Sequence, residues 1–146
     1  MEKKIVMVTG ATSGIGEACA KKFANGGYNV IITGRRHDKL KALKTLLEAQ
    51  GTRVLALTFD VREREVARKA VESIDGEWAD IDVLVNNAGL ALGLDKEYEG
   101  DFNDWDTMID TNVKGLLNMT RFIVPGMVKR NRGHVINIGS VAGDAA

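Results

Sequence analysis

A chain of 146 residues is about one domain long, and at that size roughly two thirds of the unfolded surface can be buried. With 45% apolar and 27% charged residues the composition is that of an ordinary globular protein and shows no sign of disorder. The 20 basic and 20 acidic residues cancel, with no long basic run, so charge gives no reason to expect nucleic acid or an anionic membrane as partner.

The chain opens with MEKKIVMV, whose apolar run is too short for a signal peptide, and no later stretch approaches the length of a membrane span. Ile5 to Val8 reads as a buried strand. The run TGATSGIG follows at 9 to 16, with glycines at 10, 14 and 16, and a helix begins near Gly14. That helix holds Cys19, the one cysteine, which excludes disulfide stapling and points to a reducing cytoplasm. Among the helix formers of GEACAKKFA it serves as a small apolar residue.

Further β-branched runs lie at Val30 to Thr33, Val54 to Thr58, Val83 to Val85 and Val135 to Ile138. Their nearly unbroken apolarity suits strands covered on both faces, as in a parallel sheet. Residues 38 to 50 place Leu40, Leu43, Leu46 and Leu47 on one helical stripe, with Asp38 positioned as N-cap and Gly51 just past the end. Residues 62 to 75 repeat the pattern with Val66, Ala70, Val71 and Ile74. Residues 104 to 130 form the longest helical segment, apolar on more than one face and interrupted by Pro125, the only proline. Strand and helix in alternation predict right-handed crossovers and a doubly wound parallel sheet, with residues 1–146 as one domain. The irregular stretch 90 to 103 is a candidate substrate wall.

The glycines sit between a strand and a helix, where free N–H groups and the positive end of the helix dipole favour phosphate. A P-loop would need Lys and Ser/Thr after its last glycine, whereas Glu17 and Ala18 follow Gly16. The common Rossmann fingerprint spaces its glycines two and then three apart, which differs in detail. A glycine-rich turn without a ligand is the other reading.

The pattern Thr-Gly-x-x-x-Gly-Ile-Gly at 9 to 16 resembles that of the short-chain dehydrogenase/reductase family. The resemblance implies a Rossmann-like sheet in the order 3-2-1-4-5 and a coenzyme cradled by Gly10, Thr12, Ser13, Gly14, Ile15 and Gly16. Four further stretches resemble the same family in order. In TGRRHD at 33 to 38 a carboxylate would accept from a ribose 2′-hydroxyl, while a 2′-phosphate would be repelled by it and drawn to arginine. Arg35 and Arg36, with no acid before Asp38, therefore favour NADP over NAD; two solvated loop charges are the alternative. Asp60 and Val61, ending the third strand, are implied to meet the adenine, although Asp60 could simply cap the next helix. In NNAG at 86 to 89, Asn87 is implied to face the coenzyme and Asn86 to be structural, with Gly89 leaving space. In DTNVKG, Asn112 is implied to be the catalytic-site asparagine whose distorted helix exposes a carbonyl to a relay water; an ordinary polar helix residue is the other reading. In INIGS, Ser140 is implied to hydrogen-bond the substrate oxygen at the sheet's C-terminal edge, and is otherwise a turn residue.

His37 and His134 have no third partner in sequence for a metal site or triad, and His134 is expected to begin a strand. Trp78 and Trp105 read as packing anchors, and the methionines as core or interface. The family's chemistry needs a tyrosine with a lysine four residues on, downstream of the serine. Tyr28 is followed at that distance by Ile32, and Tyr98 by Phe102. The resemblance thus covers the front part of a family member, and the fifth strand is expected at an uncovered edge. Self-association or a second chain would cover it.

NNAGLALG, DWDTMIDTNVKGLLNMTR and PGMVKRNRGHVINIGS resemble the branch acting on small 3-hydroxy acids such as serine or allo-threonine. The resemblance implies an NADP-dependent oxidoreductase of a small alcohol or carbonyl, homo-oligomeric when complete. A non-catalytic NADP-binding module stands beside it. A receiver-type signalling domain would need acids where Thr9 and Gly10 stand.

Overall fold

The computed structural model describes residues 3–87, 102, 103, 106 and 110–138. Its elements run β1 (Ile5–Val8), α1 (Gly14–Asn25), β2 (Asn29–Gly34), α2 (His37–Ala49), β3 (Val54–Thr58), α3 (Arg64–Glu72), a 3₁₀ turn (Gly76–Trp78), β4 (Val83–Asn86), a π-helical turn (Asp110–Lys114), α4 (Gly115–Arg130) and β5 (His134–Asn137). The five strands form one sheet in the order β3-β2-β1-β4-β5, and every pairing is parallel. This is the doubly wound order expected from the family resemblance. His134 begins β5, as its position suggested.

β1 is central, with Val6 paired to Val30 on one side and Val83 on the other. Period-two alternation splits its residues between two layers of core. Val6, Val8, Val30 and Ile32 pack against Ala20 of α1 and Leu40, Leu43 and Leu47 of α2. Ile5, Met7, Ile31 and Leu84 pack on the other face against Ala67 of α3 and Met119, Ile123 and Met127 of α4. Truncating a fully buried leucine such as Leu47 to alanine costs about 2–5 kcal/mol. Trp78 packs on the second layer, while Trp105 lies outside the described residues.

Several local expectations need correction. Asp38 is not the N-cap of α2: the helix starts at His37 with Arg36 as cap residue, and Asp38 stands in the first turn, where its charge still favours the dipole. Only Arg35 and Arg36 separate β2 from α2, so the chain must enter the helix at once. Leu46 and Val66 are exposed rather than on the buried stripes. α3 is shorter than 62 to 75, beginning at Arg64 and ending at Glu72. Pro125 does not interrupt α4, which continues from Gly115 to Arg130. Ile123 and Met127, buried on either side of Pro125, hold that stretch against the sheet and outweigh the missing N–H.

Among the described residues β5 is the last strand of the sheet, with half-buried Val135 and Ile136 between exposed ends. The expected substrate wall at 90–103 falls almost wholly outside the described residues. No helix among the described residues is long and apolar enough to cross a membrane.

Candidate functional site

The chain leaves β1 through Thr9, whose hydroxyl donates to the Val85 carbonyl at 3.2 Å and accepts the Asn87 N–H at 3.0 Å. Gly10 then takes the left-handed conformation, φ 60, that glycine adopts without strain. Ser13 caps α1: its Oγ accepts the Gly16 N–H at 3.2 Å, and its own N–H donates to the Gly10 carbonyl at 3.2 Å. A Cβ on Gly16 would lie 2.1 Å from the Gly10 carbonyl oxygen and 2.5 Å from Asn87 Nδ2, so no side chain fits there. Gly14 is different, with nothing within 4 Å of the Cβ it lacks. With the Ser13, Gly16 and Glu17 amides engaged, those of Gly14 and Ile15 have no partner among the described residues and open to solvent at the positive end of α1.

Asn87, 7% exposed, reaches this turn from the end of β4. Its Nδ2 donates to the Gly10 carbonyl at 3.2 Å and to Ser13 Oγ at 3.0 Å. Asn86 turns the other way and ties neighbouring elements, donating to Asn137 Oδ1 on β5 at 3.0 Å and Thr120 Oγ1 on α4 at 3.3 Å.

The end of β2 adjoins the glycine turn, since the Ala11 N–H donates to the Thr33 carbonyl and Thr12 lies against Gly34. Arg35 and Arg36 follow, both exposed, and α2 has no side chain capping its N-terminus. His37 Nδ1 lies 3.2 Å from Thr58 Oγ1, linking the start of α2 to β3.

Past β3, Asp60 forms a tight Asx-type turn in which Oδ1 accepts the Arg62 N–H at 2.9 Å. The Arg62 side chain closes on the same carboxylate, Nε shared between both oxygens and Nη2 donating to Oδ2 at 2.7 Å. Burial raises the Asp60 pKa, but the Arg62 hydrogen bonds and charge, with the Arg35 charge, hold it net below its ordinary value. Asp60 therefore stays a carboxylate, and caps no helix: Glu63 is the cap residue of α3. Val61 is buried beneath this turn. Its N–H has no partner among the described residues, while its carbonyl accepts Asn118 Nδ2 at 2.9 Å.

Asn112, half-buried, stands within the π-helical turn. Such turns open the helical ladder and are frequent at functional sites. Gly89 and Ser140 lie outside the described residues.

The glycine turn, Arg35 and Arg36, Asp60 and Val61, and Asn87 thus converge on the C-terminal edge of β1 to β4, where ligands bind in doubly wound sheets. Two unpartnered amides at a helix start suit a pyrophosphate, and a free N–H beside a carboxylate suits the edge of a purine, so these residues fit a dinucleotide. No group of three or more His, Cys, Asp or Glu able to hold a metal occurs among the described residues. Two side chains have a role that their local sequence does not signal. Thr9 stands in the glycine motif with no sign that its hydroxyl ties β1 to β4, and Asn118, 5% exposed on α4, carries no local signal that it reaches the turn after β3.

Comparison with known proteins agrees with this geometry. The chain is 57% identical over 139 residues to the NADP-dependent 3-hydroxy acid dehydrogenase YdfG of Salmonella typhi, covering 95% of this chain and 55% of that protein. It thus spans about half the length of the curated relatives it matches. The crystal structure of serine dehydrogenase from Escherichia coli superposes with a TM-score of 0.87 at 51% identity, over 96% of this chain and 63% of the other. The closed form of serine dehydrogenase complexed with NADP+ gives a TM-score of 0.87 at 51% identity, over 96% and 55%. Residues 4–146 match the profile of the short chain dehydrogenase family, and with this sheet order and this glycine turn the chain belongs to that family.

Proposed function

We propose that this chain is the coenzyme-binding part of an NADP-dependent oxidoreductase that interconverts a small 3-hydroxy acid, such as serine, with the corresponding carbonyl compound. The observation that carries the coenzyme choice is the pair Arg35 and Arg36, exposed directly after β2 and beside the glycine turn, with no carboxylate between them and Gly34. Relatives and solved structures named for NADP and for 3-hydroxy acid or serine substrates support it.

The coenzyme, when bound, supplies the nicotinamide carbon that takes or gives the hydride. The chain's residues bind and orient. The Gly14 and Ile15 amides meet the pyrophosphate, Arg35 and Arg36 clamp the 2′-phosphate, and Asp60 and Val61 face the adenine. Asn87 keeps the glycine turn shut against β4. Ser140 hydrogen-bonds the substrate oxygen, and the Asn112 carbonyl holds a water on the proton path. The proton itself needs a tyrosine with a lysine four residues later, a pair absent from residues 1–146. We infer that turnover requires residues supplied beyond this stretch and that this chain alone binds without reacting. The complete enzyme is proposed to be homo-oligomeric, with exposed Leu117 and Val128 of α4 as interface material.

Titrating the chain with NADPH and NADH, followed by nicotinamide fluorescence, tests the reading. NADPH should saturate and bind about tenfold or more tightly than NADH. No saturable association, or a preference for NADH, would overturn it.

A further inference from the structure

The peptide joining Val61 to Arg62 is held from both sides. Its N–H donates to Asp60 Oδ1 at 2.9 Å, and its carbonyl accepts Asn118 Nδ2 at 2.9 Å. The Val61 side chain is confined as well: a Cβ on Gly115, one turn before Asn118 on α4, would lie 2.5 Å from Val61 Cγ2. Val61 therefore sits in a notch made by Gly115 with Asn118 as its latch.

The direction of the Asn118 carboxamide follows from its neighbours. Arg64 Nε, which can only donate, meets Oδ1 at 3.2 Å, so Nδ2 faces the Val61 carbonyl and comes within 3.4 Å of the Arg62 carbonyl. The group is buried and satisfied on both ends, and it joins three elements of the fold.

What the latch holds in place is a donor and an acceptor side by side. The Val61 N–H has no partner among the described residues. The Asp60 carboxylate receives three N–H groups of Arg62, with Nε shared between its two oxygens, so a further donor would meet an oxygen that is already engaged. An adenine edge offers the complement, an amino group that donates and a ring nitrogen that accepts. Hypoxanthine offers the reverse. We propose that Asn118 is a positioning residue for recognition of the coenzyme's base, acting through Val61 and Asp60; this rests on the coenzyme reading above.

The test compares NADPH with its hypoxanthine analogue as ligands of the 146-residue chain, in the wild type and in Asn118→Leu, Asn118→Asp and Arg64→Met, with melting temperatures recorded alongside. The wild type should prefer the adenine form. Asn118→Leu should reduce that preference about tenfold, and Arg64→Met, which frees one end of the carboxamide, by less. Asn118→Asp keeps the acceptor for Arg64 while removing the donor to Val61, so it decides the matter where the leucine variant does not fold. If both ligands weaken by the same factor, Asn118 is merely structural and the proposal fails. A wild type that binds both nucleotides without preference also overturns it and leaves the coenzyme reading standing. A wild type that binds neither removes that reading and this one together.

Discussion

Asn87 Nδ2 bridges the Gly10 carbonyl, at 3.2 Å, and Ser13 Oγ, at 3.0 Å, across 77 and 74 residues of sequence. One amide thereby fastens the end of β4 to both the bend and the cap of the glycine turn. Any side chain at Gly16 would wedge into this contact.

Glycines 14 and 16 should accordingly part company on substitution. Gly16→Ala forces its methyl against backbone and should lower stability by about 1–3 kcal/mol while abolishing NADPH binding. Gly14→Ala meets open space and improves helix propensity, so it should raise the melting temperature, by up to about 1 kcal/mol of stability, yet weaken NADPH because the methyl stands where phosphate would approach. Thermal melts paired with fluorescence titrations check both. A Gly14→Ala chain that binds as well as the wild type would place the pyrophosphate elsewhere.

Charge reversal at the end of β2 should change coenzyme choice. Arg35→Glu and Arg36→Glu should each weaken NADPH by about tenfold or more and leave NADH nearly unaffected, with the double variant preferring NADH. Raising the salt concentration should narrow the gap in the wild type and have little effect in the double variant. Dissociation constants at two ionic strengths supply the comparison.

Acid should erase the contribution of Asp60. Its pKa lies lower in the folded chain than its ordinary value of 3.8, so its stabilisation is complete above that value and fades as pH falls through the folded one. Asn at this position keeps an acceptor for the Arg62 N–H but loses the ion pair. At pH 7 Asp60→Asn should therefore melt lower than the wild type, and the two curves should converge as pH drops from 3.8 downward. A gap that stays constant into acid would mean that the carboxylate charge contributes nothing.

At the opposite end of the sheet Asp82, buried, accepts the Ile5 N–H at 2.8 Å and Arg132 Nε at 2.6 Å. Asp82→Ala strands the Ile5 amide and should cost about 2 kcal/mol. Coenzyme affinity should not change, because this is the N-terminal edge. Denaturant unfolding with NADPH titration separates the two effects.

The strands and the glycine turn were legible because their causes are local. A β-branched run buried on both faces announces itself, and Thr9 to Gly16 carry their geometry in their own residue types. Arg35, Arg36, Asp60 and Val61 could be placed once strand ends were known. The link from Asn118 to Val61 spans 57 residues, and that from Asp82 to Ile5 spans 77; no window of sequence contains either pair. Pro125 misled for a related reason. It announces a break locally, and only the packing of Ile123 and Met127 shows that the helix carries through. Asp38 lost the cap position to a connection too short to wait for it.

The π-helical turn at Asp110–Lys114 has a consequence for chain length. Each residue advances an α-helix by about 100°, and a π turn holds one residue more than an α turn in each hydrogen-bonded loop. Deleting a single residue there would let the ordinary ladder run straight into α4 and swing Asn112 around the axis, while Gly115 and Asn118 stay seated on Val61. The phase between Asn112 and the face of α4 that seats Val61 is thus set by counting residues, and a one-residue insertion or deletion would disturb it where most point substitutions would not.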